Sequence, residues 1–240
     1  MKIGIFTDLH ANLPALKKAL EFFQKENCDT IVHIGDLIGI GPYPKECMEL
    51  VMQQTNMIFI MGNHDYWYGF GLPDPIPKYM SEEEVAHQNW THQQIGNHYK
   101  SQVKEWKFSE DINLPNGLKI NFRHYGLNDE KNWFGPFVKN PTYEAMEKIF
   151  QDVEASTIFY GHHHTANHLE NSKRFINLGS AGCWDKSVVR LGILEVNEKS
   201  YFLKKLFIPY NDDGFIEAFE ERKVPAREFI LANFISRKKH

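Results

Sequence analysis

Five short clusters in the chain carry residue types that bind metal ions. Asp8 and His10 stand one residue apart. Asp36 follows Gly35, and Asn63, His64 and Asp65 follow Gly62. His124 stands alone, and His162, His163 and His164 follow Gly161. In an extended segment, residues two apart point to the same side. Asp8 with His10 therefore makes one bite, and His162 with His164 another, with His163 turned away. Carboxylate oxygen plus imidazole nitrogen is a donor set that suits Mn, Fe, Zn or Co. Two such ions, ~3.5–4 Å apart and sharing one carboxylate, hold a hydroxide and clamp a phosphate for in-line displacement.

Each cluster sits just after a segment that reads as a strand. Lys2–Thr7 is short and apolar, and precedes Asp8. Asn12 caps a helix running to about Glu26, with Pro14 in its first turn and Leu13, Leu16, Ala19, Leu20 and Phe23 at helical spacing. Thr30–Ile34 is a second strand, Pro44 to about Gln53 a second helix, and Met57–Met61 a third strand, giving βαβαβ with parallel strands. The alternation then stops. Residues 66 to about 80 are rich in aromatics, glycine and proline and read as a structured loop. Ser81 with Glu84 opens a polar helical stretch that runs, with interruptions, to about Lys107. Residues 66–110 thus form a helical insertion able to cap a site. Ile112–Phe122 reads as a hairpin around Asn116-Gly117. Thr142–Val153 is a helix. Thr157–Tyr160, Arg174–Leu178, Val188–Val196 and Tyr201–Ile208 are strands, and 212–236 is a C-terminal helical extension broken at Pro225. That is too many strands for one doubly wound sheet. Two sheets packed face to face with helices outside, in a single domain over 1–240, is the expected α/β arrangement. Functional groups in open α/β sheets collect at the carboxyl ends of strands, where all five clusters lie.

The chain has 240 residues and a formal charge of −4, from 27 Lys plus Arg against 31 Asp plus Glu. This mild acidity argues against a nucleic-acid polymer as partner. Three widely spaced cysteines (Cys28, Cys47, Cys183) form neither a disulfide framework nor a zinc-finger pattern. No signal-peptide segment and no run of about 18 apolar residues is seen, so no membrane association is expected and the cytoplasm is the default location.

The ordered set FTDLH, GDLIG, GNHD, FRHYG and GHHH resembles the calcineurin-like metallophosphoesterase family, and INLGSAG at 176–182 resembles a stretch near that family's last strands. The resemblance covers about three-quarters of the chain. It implies a four-layer αββα sandwich of two mixed β-sheets, here with the inserted cap, and a binuclear centre of Mn and/or Fe, or Zn or Co. Asp8, His10 and His164 would hold one ion, Asn63, His124 and His162 the other, and Asp36 would bridge them. His64 would stabilise the transition state and protonate the leaving oxygen after attack by a metal-bridging hydroxide. Asp65 is expected to support the turn, and His163 to be structural or behind the ligands. Two features depart from the family's patterns. Gly39 stands where serine/threonine protein phosphatases carry an Asp that orients the catalytic His, and Tyr125 replaces the glycine after His124. GDLIGIGPYPKE resembles a bacterial branch of small phosphodiesterases that includes diadenosine tetraphosphate hydrolases. The expected partner is therefore a small phosphate ester or nucleotide. Tyr66, Trp67 and Arg123 are candidate substrate contacts, although the aromatics of 66–70 also read as packing. Arg174 and Lys186 are further candidates for a distal phosphate, and His87, His92 and His98 are not spaced as a third metal site. A phosphomonoesterase or protein phosphatase on the same site, and a non-catalytic scaffold on this fold, are the alternatives.

Overall fold

The structure is a computed structural model that describes residues 1–114, 117–198 and 200–235. In chain order the elements are β1 (Lys2–Phe6), α1 (Leu13–Lys25), β2 (Thr30–His33), α2 (Pro44–Met52), β3 (Met57–Phe59), α3 (Asn63–Phe70), α4 (Glu82–Ile95) and α5 (Lys100–Lys104). There follow β4 (Ser109–Asn113), β5 (Lys119–Arg123), α6 (Tyr143–Ile149), β6 (Thr157–Phe159), β7 (Asn167–Glu170), β8 (Arg174–Asn177), β9 (Val188–Val196), β10 (Tyr201–Pro209), α7 (Glu217–Glu221) and α8 (Arg227–Ile230). A π-helical turn, Leu231–Ile235, closes the described chain.

Two mixed five-stranded sheets result, in the orders β10-β9-β1-β2-β3 and β4-β5-β6-β8-β7. Within the first, β1, β2 and β3 are parallel. Within the second, β5, β6 and β8 are parallel. Parallel neighbours end on the same edge, so the loops after β1, β2 and β3 cluster together, as do those after β5 and β6.

Strand periodicity explains the layers. Ile3 and Ile5 of β1 face inward, joining Val32, Ile34 and Ile60 against Ile120, Phe122, Phe159 and Ile176 of the second sheet. Phe6, on the opposite face of β1, packs with Leu16, Ala19 and Phe23 of α1 and Val51 of α2. On the far side, Met146 of α6 and Phe150 cover Ile158 and Phe175 of the second sheet. The order is helix, sheet, sheet, helix. The start of α1 follows from Asn12, whose side chain accepts from the Ala15 amide.

Several boundaries differ from the sequence reading. Residues 66–70 finish α3 instead of opening a loop. Its N-terminus is made by Asp65 turning back onto the Gly62 amide, a cap without Ser or Thr. The polar stretch after Ser81 breaks at Gly96, whose φ is 73°, and α5 follows as a separate short helix. β7 has no apolar signature. It pairs antiparallel with β8 as an outer strand, where one face stays wet. The hairpin of β4 and β5 pairs antiparallel as expected, but the Asn116 turn position lies outside the described residues. The C-terminal segment breaks where expected, with Lys223 and Ala226, both at positive φ, flanking Pro225. Ser236 lies outside the described residues. Among the described residues no helix is long and apolar enough to cross a membrane.

Candidate metal centre

The structure brings Asp8, His10, Asp36, Asn63, His124, His162 and His164 to one place, with His64 beside them. Asp36 is central: its Oδ2 lies 3.2 Å from His124 Nε2 and 3.8 Å from His10 Nε2. On one side, His10 Nε2 is 2.8 Å from His164 Nε2, which is 3.6 Å from Asp8 Oδ1. On the other, His162 Nδ1 is 3.0 Å from Asn63 Oδ1. Asp36, His124 and His162 converge their ligand atoms within 4.8 Å, as do Asp36, His10 and His64, and also His10, His164 and Cys183. Asp36 thus belongs to two neighbouring nests.

The backbone aims these side chains by left-handed residues. Asp8, His10, Asp36, His162 and His164 all have φ between 50° and 67°. All five lie in the loops that follow β1, β2 and β6. Neighbouring loops then lock together. The amide of His162 donates to the Asp8 carboxylate at 3.0 and 3.1 Å, and Thr7 Oγ1 donates to it at 2.7 Å. The Asp36 Oδ1 accepts from the His64 amide at 2.9 Å. Asp65, fully buried, accepts from the amides of Asp36, Leu37 and Gly62 at 2.8, 3.1 and 3.1 Å. It ties the loop after β2 to the start of α3. Gly62 is required by this approach, because a Cβ there would lie 2.2 Å from the Asp36 nitrogen.

Protonation fits the same reading. Burial first, then neighbouring cations, holds His10 well below its ordinary range, His162 at about 3 and His164 at about 4. These rings are therefore neutral, the form that donates a lone pair to a metal. The Ile34 carbonyl accepts from His124 Nδ1 at 2.8 Å, which leaves Nε2 as the ligand atom. That Nε2 is buried and faces the Asp36 Oδ2 at 3.2 Å. Burial would lower His124, but the Asp36 carboxylate outweighs it and lifts the ring to about 9. Burial pushes Asp8 up to about 7, against the pull of His124. Asp8 and Asp36 among neutral imidazoles form a donor set that divalent cations would satisfy, and the two groups sharing Asp36 fit two ions.

One wall of the centre is open. Asp36, Asn63, His64, His162 and His164 line a cavity of roughly 920 Å³ whose other walls are Glu83, Glu84, His87 and Gln88 of α4, Tyr79 before it, Phe137, and Phe229, Ile230 and Phe234 of the C-terminal segment. Tyr79, Phe137 and Phe229 are 71%, 54% and 58% exposed, rings left in water at the rim. The candidate substrate contacts lie elsewhere. Arg123 is buried on the opposite side of β5 from the path to His124, bound to Asp152, Asn121 and Ser109. Tyr66 stacks on Phe70 and meets Trp133 edge-on. Trp67 is buried with its ring edge-on to His64, behind the cavity wall. Arg174 pairs with Glu170 and the Tyr201 hydroxyl, and Lys186 lies over Trp184. For Arg123, adjacency in sequence to His124 does not give adjacency in space, because strand neighbours point to opposite faces. His163 Nε2 donates to the Val138 carbonyl, away from the ligand cluster. His87, His92 and His98 join no ligand cluster among the described residues. The residues missed by sequence reasoning are Gln88, Tyr79, Phe137, Phe229 and Phe234. Only Gln88 had an indirect signal: Gly39 cannot orient His64, so the partner had to come from another segment.

An αββα sandwich with two adjoining Asp/His/Asn nests at its strand ends defines a class of binuclear phosphate-ester hydrolases. The chain belongs to the calcineurin-like phosphoesterase family, whose pattern matches residues 1–166. It is a metal-dependent phosphoester hydrolase, and its family uses a binuclear divalent metal centre. It is similar to an uncharacterized protein of Methanocaldococcus jannaschii, 25% identical over 239 residues that cover 93% of each chain. A phosphodiesterase of the same archaeon is 42% identical over 65 residues, 27% of this chain and 37% of that one. Among solved structures, a hypothetical protein of Pyrococcus horikoshii matches with a TM-score of 0.75 and 17% identity over 99% of both chains. A metallophosphoesterase of Sphaerobacter thermophilus matches with a TM-score of 0.70 and 21% identity over 97% of this chain and 98% of that one. Both likenesses concern the fold.

Proposed function

We propose that the protein hydrolyses phosphodiester or phosphoanhydride bonds of small substrates bearing a planar aromatic group, nucleotides being the natural class. The observation that carries this reading is the single cavity shared by the ligand cluster, His64 and the exposed rings of Tyr79, Phe137 and Phe229. In it, Asp8, His10 and His164 would hold one ion, Asn63, His124 and His162 the second, with Asp36 between them. Ions bound there would supply Lewis-acid polarisation of the phosphoryl oxygens and a lowered pKa for the attacking water. The chain's own contribution is positional. Asp36 and Asp8 fix the two nests relative to each other through the His64 and His162 amides. His64, at the cavity wall beside Asp36 and His10, would give a proton to the leaving oxygen. The aromatic rim would hold a base by stacking, worth ~1–3 kcal/mol per base.

Metal-stripped protein reconstituted with Mn should hydrolyse bis-p-nitrophenyl phosphate and diadenosine tetraphosphate. ATP plus AMP from the latter means asymmetric cleavage, and two ADP means symmetric cleavage. Turnover of p-nitrophenyl phosphate alone would replace this reading with a monoesterase. Silence on all three with two metals bound would favour a scaffold.

A further inference from the structure

The family's protein phosphatases orient their catalytic histidine with an aspartate, and Gly39 stands at that position in this chain. The structure supplies a different partner. Gln88 Nε2 lies 2.8 Å from His64 Nδ1. Gln88 is 1% exposed, and its Oε1 is buried with no hydrogen-bond partner among the described residues. No other contact among these residues competes for the amide. We propose that Gln88 is the positioning residue of His64: its amide holds Nδ1 and leaves Nε2 as the nitrogen offered to substrate. The proposal rests on the reading of His64 as general acid.

Three observations converge on it. First, the loop after β2 cannot do the job. A Cβ on Gly39 would lie 2.2 Å from His64 Nδ1, so the imidazole already fills the volume an orienting side chain would need there. Second, the ring is held on its other sides by edge-on contacts with Trp67 and His10, each at 5.1 Å between centroids. The amide supplies the one directional bond that picks which nitrogen faces outward. Third, Gln88 shares a face of α4 with Glu84, four residues earlier, and both line the cavity. The helix that walls the cavity therefore also sets the ring. An amide is suited to this place. By turning over it presents either N–H or C=O, so it meets Nδ1 whether that atom carries a proton or a lone pair. Being neutral, it adds no charge beside the ions.

The test is a leaving-group series on Mn-loaded enzyme: methyl phosphodiesters whose leaving groups run from p-nitrophenoxide to simple alkoxides. A general acid matters most when the leaving oxygen is basic. Gln88→Met should lower kcat by about 10²-fold on alkoxide esters and by less than about threefold on the p-nitrophenyl ester. KM, metal content and unfolding temperature should stay near wild type. Gln88→Glu, which keeps an acceptor for Nδ1–H, should recover most of the alkoxide rate. His64→Ala should show the same leaving-group pattern more strongly, and the double variant should be no worse than His64→Ala alone. A uniform loss across leaving groups, or no loss, in Gln88→Met while His64→Ala stays leaving-group dependent overturns the proposal and spares the general-acid reading. A His64→Ala variant with no leaving-group dependence overturns both.

Discussion

The ligand cluster and the cavity wall facing it are built on opposite principles. The cluster draws its residues from five loops that each follow a strand, with every candidate ligand within five residues of the strand's end. Those loops are cross-linked by buried backbone-to-carboxylate bonds. The wall draws on α4, the segment around Phe137 and the C-terminal turns. Its members are separated by up to 155 residues, as from Tyr79 to Phe234. They meet the cluster through the Gln88–His64 bond and through ring contacts of Phe137 with His162 and of Phe234 with His164. On the proposed reading, the cluster acts on the phosphate and the wall meets the rest of the substrate. Substrate preference would then change with α4 and the C-terminal segment while the cluster stays intact.

Substitutions can test this division. The largest effect is expected at the shared carboxylate. Asp36→Asn should lose bound metal and lower turnover by more than about 10³-fold, since open sites depend on every ligand. Two ions retained per chain by metal analysis would refute the bridging place of Asp36. His64→Ala should lower turnover by about 10²–10⁴-fold with metal content unchanged. Metal loss in this variant would move His64 from the boundary into the cluster. Asp65→Ala leaves three buried amides unpaired, at roughly 1–3 kcal/mol each, so its denaturation midpoint should fall sharply. A normal midpoint would show that the two loops hold together without it. On the wall, Phe137→Ala and Phe229→Ala should raise KM for dinucleotides by about tenfold, the equivalent of ~1.4 kcal/mol. They should not change kcat or the rate on alkyl esters. An equal loss on alkyl esters would merge wall and cluster into one unit.

The smallest effect concerns pH. Burial, then the nearby His64, holds His87 at about 4, against an ordinary 6.5. Its ring stacks on Trp90 and meets the Pro225 carbonyl, joining α4 to the C-terminal segment. As pH falls below 6.5 the unfolded chain takes up a proton that folded His87 refuses, so stability declines down to about pH 4. His87→Gln should flatten that part of the stability profile, read from urea midpoints.

The division also explains what could be read from the sequence. Asp8, His10, Asp36, Asn63, His124, His162 and His164 were legible because each sits at a fixed offset from an apolar run, and parallel topology gathers strand ends by itself. The two-sheet sandwich followed from strand count and from the placement of the helices. Gln88 was not legible, because it lies in the interior of a polar helix and its value depends on how α4 docks. Phe137 and Phe229 look in sequence like any core aromatic. The aromatic run 66–70 reads in sequence both as a platform and as packing, and Tyr66 packs against Trp133 and Phe70.

The five ligand residues at positive φ carry a consequence for engineering. An L-residue held in that region costs about 1–2 kcal/mol, with Asp and His less penalised than most. Glycine would relieve that strain, but at Asp8 and Asp36 it would also strand the His162 and His64 amides that those carboxylates accept from, at roughly 1–3 kcal/mol each. The strained backbone is thus held by the same side chains proposed to hold the ions, and a stabilised variant of this enzyme has to draw its improvement from elsewhere in the fold.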